Sequence, residues 1–232
     1  MSAKINVLIN KKDNSELIRD EITAIIVTEQ AAQKVLAASA PMSEPDALKF
    51  NVYYEKSTPW EMLIDSDEGI SESSMPVVNV WFDGASLMPE SSNSTDVQKY
   101  RGTFNIDCYA AKTTEENTST GEIKRSDVLS SLACQRLMRI IRNIIMNHNY
   151  KYLNYRKTVM QRVFTDIKMF TPGQGDQTAV NVCAGRLTLS VEYLESTSEN
   201  TSELLELIQA KCTRSSDGLV YFDAGFDETI PD

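Results

Sequence analysis

The chain has 232 residues, 41% of them hydrophobic, and a formal net charge of −10 at pH 7. That length supports one sizeable domain with a real core, and the acidic balance excludes a general binder of nucleic acid or of anionic membrane, whose affinity comes from clustered Lys and Arg. No run of about 18 apolar residues is present and the start MSAKINVLINKKDNSE has no apolar signal region, so a chain made and kept in a cytoplasm, without membrane contact, is expected.

The first predicted element is a helix from Asn14 to Ser39. Ile18, Ile22, Ile25, Ala32 and Leu36 recur near a 3.6-residue period, Asp13 or Asn14 can cap the free amides, and Pro41 closes the segment. Two strands follow, Leu48 to Glu55 and Pro76 to Asp83, separated by an acidic connection from Thr58 to Ser74. A polar stretch, Ala85 to Lys99, leads into a third strand from Tyr100 to Lys112, which is expected to form an extended hairpin with the strand before it. There Phe104, Ile106, Cys108 and Ala110 alternate with Thr103, Asn105, Asp107 and Tyr109, the pattern of a strand with one buried face. Thr113 to Gly121 is then almost wholly polar and reads as a loop.

A second helix is predicted from Ser126, as N-cap, to about Asn147. Its apolar stripe is Leu129, Ala133, Leu137, Ile140, Ile141 and Ile144, and Arg136, Arg139 and Arg142 lie roughly opposite. Thr158 to Phe170 and Ala179 to Glu195 read as a second hairpin around TPGQGDQT, with Gly185 a candidate bulge. These elements predict an α+β domain over residues 1–195. Its two long helices pack on a mixed, mostly antiparallel sheet, in the order helix, three strands, helix, two strands. Residues 196–232 form a polar extension with a short helix near Ser202 to Lys211.

No residue set carries chemistry. His148 is the only histidine, on the apolar side of the second helix and with no nucleophile motif beside it. Cys108, Cys134, Cys183 and Cys212 are too scattered for a zinc site and read as reduced, mostly buried thiols. A calcium loop counted from Asp65 fails at its turn glycine, which is Ile70, and at its bidentate glutamate, which is Pro76. The expectation is therefore a protein without catalytic, cofactor-binding or metal-ligating residues. The basic stripe Arg136, Arg139, Arg142 stands out in an acidic chain, either as a solvated face or as one side of a contact between like subunits.

The order of elements, together with the block YRGTFNIDCYA, a long polar loop and SDVLSSLACQRLMRIIRNII, resembles the tail terminator and tail-completion proteins of tailed bacteriophages over roughly residues 14 to 195. The resemblance implies a ring, a hexamer in that family, at the head-proximal end of the tail, ending tube growth and joining the tail to the head connector. It implies as partners the tail tube, a sheath protein where there is one, and a neck or head-completion protein. DNA would pass through the lumen without specific binding, and the protein would reside in the virion tail after assembly in the host cytoplasm. Other neck or head-completion proteins, and a small α/β enzyme, remain as alternatives. On this reading Arg136, Arg139 and Arg142 are candidate subunit contacts. The two polar stretches, Ala85 to Lys99 and Thr113 to Glu122, are candidate docking loops, represented by Met88, Asn93, Asp96 and Lys99 in the first and by Thr114, Glu116, Asn117 and Glu122 in the second.

Overall fold

The computed structural model describes residues 12–39, 48–65, 69–70, 75–89, 97–117, 122–172, 182–196, 212–213 and 220–222. Its main body comprises residues 12–93 and 98–195. Helix α1 spans Asn14–Ser39. Asp13 begins it: its carbonyl accepts the Leu17 N–H at 3.1 Å, and the Glu16 carboxylate reaches back to the Asp13 N–H at 3.1 Å, half of a capping box. Asn14 is used elsewhere. Its backbone N–H donates to the Glu195 carboxylate at 3.1 Å and its side-chain amide to the Leu194 carbonyl at 2.7 Å. The carboxylate also complements the positive end of the helix dipole, so the helix start is pinned to the far end of the body's sequence.

The strands are β1 (Asn51–Tyr54), β2 (Ile64–Asp65), β3 (Gly69–Ile70), β4 (Val77–Leu87), β5 (Val97–Ala111), β6 (Glu115–Asn117), β7 (Glu122–Lys124), β8 (Val159–Phe170) and β9 (Val182–Ser196). Helix α2 (Ser126–Met146) stands between β7 and β8. Five strands form one sheet in the order β1-β4-β5-β9-β8. β1 runs parallel to β4, while β4 with β5 and β8 with β9 are antiparallel hairpins. This is the expected α+β fold, helix, three strands, helix, two strands, with β2-β3 and β6-β7 inserted as minor hairpins. Outside the body, Cys212–Thr213 and Val220–Phe222 pair as a separate two-stranded ribbon, β10 and β11. The helix expected near Ser202 lies outside the described residues.

Both helices pack on one face of the sheet. Ile18, Ile22 and Ile26 of α1 join Cys134, Leu137, Ile141 and Ile145 of α2 over Val78, Val80, Phe104, Ile106, Cys108, Leu187 and Leu189. Gln30 is the one polar residue α1 buries, and its amide donates to the carbonyls of Leu48 (2.8 Å) and Phe50 (2.7 Å), fixing the approach to β1.

Several expectations change. The stripe of α1 stops early: beyond Gln30 no residue is buried, and Ala32 and Leu36 face outward. The stripe of α2 is turned slightly: Leu137 and Ile141 are buried as expected, but Ser130, Cys134, Met138 and Ile145 share the buried side with them, and Leu129, Ala133, Ile140 and Ile144 are only half-buried at its flank. Its N-cap is Arg125 and not Ser126, without a side-chain capping hydrogen bond, and Ser130 ties the first turns of the helix to the chain just after β5, its Oγ accepting the Lys112 N–H at 2.8 Å. Gly185 is not a bulge. A Cβ there would stand 2.1 Å from Met138 Sδ, so glycine lets α2 sit down on β9. The bulges fall in β8 and at Phe82/Gly84 of β4. His148 sits in a short 3-10 helix after α2 and is exposed, not on an apolar face.

Candidate interaction surfaces

The largest departure from the one-sided strand pattern is β5. Asn105, Asp107 and Tyr109, read as its wet side, are as buried as their neighbours, with Asp107 only 2% exposed. The cause is a second layer on the face away from the helices. The 3-10 helix Pro59–Leu63 brings Leu63 and Trp60 over Val77, Tyr109, Ala111, Val182 and Ala184. Phe170 closes the other side against the Tyr109 ring, 6.3 Å between centroids.

Burying a carboxylate requires partners, and Asp107 has three. Arg186 binds it through two parallel bonds, Nε to Oδ1 at 2.6 Å and a terminal nitrogen to Oδ2 at 2.9 Å. Trp81 Nε1 donates to Oδ2 at 2.9 Å, and the Tyr109 hydroxyl donates at 3.3 Å. The guanidinium is also sandwiched, 4.9 Å from the Trp81 ring and 5.3 Å from that of Phe170. Its hydrogen bond to Asp107 raises the Arg186 pKa, while burial and then the adjacent carboxylate hold the Tyr109 hydroxyl protonated. These groups line a groove of about 420 Å³ with Glu55, Lys56 and Asn79. Asn79 acts as an extra backbone rung: its side chain accepts the Lys56 N–H at 3.1 Å and donates to the Lys56 carbonyl at 3.0 Å. Asp107, Arg186, Trp81, Tyr109 and Asn79 are thus each paired within the groove wall, which stiffens this surface. Only the strand period hinted at it, and that period gave the wrong burial.

Arg136, Arg139 and Arg142 lie together on the exposed side of α2, as expected. Residue spacing within the helix carries no sign of what adjoins them. α2 covers β5 and β9 but leaves the end of β8 open, so Arg139, Arg142 and Gln135 overhang a groove of about 230 Å³ floored by Met138, Ile167, Met169 and Leu187. Ile167 is 49% and Met169 42% exposed. At the other end of the same strand, Arg162 donates to the carbonyls of Ile145 and Asn147, both at 2.8 Å, putting a cation on the negative end of α2.

The polar stretches are partly structured. β4 continues to Leu87 opposite Tyr100, and the Met88 N–H donates to the Lys99 carbonyl at 2.9 Å, so Met88 and Lys99 belong to a hairpin and not to a loop. The Lys99 side chain turns to Glu192, at 3.6 Å. Asn93 and Asp96 lie outside the described residues. In the second stretch Thr114 is exposed, and Glu116 and Asn117 pair with Ile123 and Glu122 as the β6-β7 hairpin. The main-chain bonds of that hairpin are what composition could not report.

Cys108 and Cys134 are buried free thiols; burial pushes both up, helped for Cys134 by the neighbouring Cys183. Among the described residues no three His, Cys, Asp or Glu side chains gather as a metal site, and no helix is long and apolar enough to cross a membrane. The chain matches none of the protein-family models and none of the curated proteins with which it was compared.

Proposed function

We propose that this chain is a structural virion subunit, a tail terminator that forms a ring at the head-proximal end of a phage tail, stops tube growth and joins the tail to the neck. The observation that carries the reading is the architecture of the body: two long helices on one face of a mixed sheet, in the order helix, three strands, helix, two strands, which is the fold that the resemblance implies. The long strand β5 adds support. Fifteen residues reach about 50 Å end to end, with the connection from β4 at its start and the β6-β7 pair just past its end, so peripheral segments can meet different partners on two sides of a ring. A net charge of −10 suits a lumen through which DNA must slide without sticking.

Electron microscopy of particles assembled without this protein tests the reading. Tails of uncontrolled length are expected. Full heads that leak DNA beside tails of normal length would instead assign the protein to head completion.

A further inference from the structure

Two exposed apolar features stand at opposite edges of the sheet. α1 lies over β1 and β4 at one edge, and beyond Gln30, which bonds to the carbonyls just before β1, its last turns leave Val35 70% and Leu36 53% exposed. At the other edge is the groove between α2 and β8, floored by Ile167 and Met169 and overhung by Arg139 and Arg142. One is convex and the other concave. Their charges also match: the last turn of α1 carries no basic residue of its own beside the negative pole of the helix, whereas the groove presents two guanidiniums in an otherwise acidic molecule. The same protein already joins an arginine to a helix C-terminus where Arg162 meets α2.

We propose that the C-terminal end of α1 of one copy seats in the α2–β8 groove of the next, with Val35 and Leu36 against Ile167 and Met169, and Arg139 and Arg142 against the last carbonyls of the helix. This deepens the ring reading by naming its contact and rests on that reading for the head-to-tail sense. Two different patches at opposite edges make the contact heterologous, and a heterologous contact that closes gives a ring.

The test uses two variants of the full chain. V35K/L36K spoils the helix end, with ammonium groups that the rim guanidiniums repel, and leaves the groove, while R139E/R142E spoils the groove rim and leaves the helix end. Sedimentation velocity should show the unaltered protein as a closed oligomer. The first variant should lose self-association by more than about 100-fold, because charges would enter an apolar groove. The second should lose it by about tenfold, and more at low salt. Circular dichroism should show both folded. An equimolar mixture, in which one copy keeps a sound helix end and the other a sound groove, should give a one-to-one dimer and nothing larger. A mixture that stays monomeric, variants that assemble like the parent, or a parent that is monomeric throughout would each overturn the proposal; any other occupant of the groove, residues 196–232 included, gives one of these results. A ring that forms through this contact while particles lacking the protein grow normal tails would leave the contact standing and remove the terminator role.

Discussion

Replacing Asp107 by Ala removes the carboxylate shared by Arg186, Trp81 and Tyr109 and leaves a half-buried guanidinium without its pair. Breaking a buried pair from one side costs about 3–5 kcal/mol, and urea unfolding should report a loss in that range. D107L combined with R186M should recover part of it, since the second charge is then gone as well. Tyr150 gives a pH test. Its hydroxyl donates to Glu29, and that bond, with burial second, pushes its pKa from 10.0 to about 12. The folded protein thus holds a proton that the unfolded chain releases earlier. The stability this contributes is fully present below pH 10 and is lost as pH rises toward 12. Near-ultraviolet titration of E29Q should show one tyrosine returning toward its ordinary range, and the alkaline unfolding limb should move with it.

At the scale of elements, β9 and α2 meet so closely at Gly185 that a methyl group has no room. G185A should cost about 1–3 kcal/mol by overpacking, visible as a lowered Tm with an unchanged far-ultraviolet spectrum. L137D, on the α2 face that the strands cover, should prevent folding, because an unpaired buried carboxylate costs on the order of the whole margin of stability. Helices and hairpins were legible because hydrophobic period is a local property: α1 has the bounds expected from its spacing, and both hairpins pair as read. What failed was whatever depends on a distant element. Asp107 looks wet until Arg186, 79 positions away, folds onto it. Leu36 continues a helical stripe, but no strand extends beneath it. The groove beside Arg139 and Arg142 needs β8 to outrun α2, and no spacing within either element encodes that.

For the whole molecule, the β6-β7 hairpin contributes none of its described residues to either buried cluster. Replacing Thr113–Gly121 by a few Gly and Ser should leave the unfolding midpoint nearly unchanged, since loop closure costs only about 0.6 kcal/mol per doubling of length. On the terminator reading, head–tail joining should nevertheless fail, as counted by infectious particles per assembled head. The register of β8 has one more consequence. Met160 and Thr165 are extra residues on that edge strand, each placing two residues against one of β9. Twelve residues of regular edge would offer an open template for another chain's backbone and invite fibril growth. Two irregularities within that span bend it and break any long continuous ladder, so the sheet edge is kept from seeding aggregates, a safeguard that would count most where, on the terminator reading, copies gather at high local concentration.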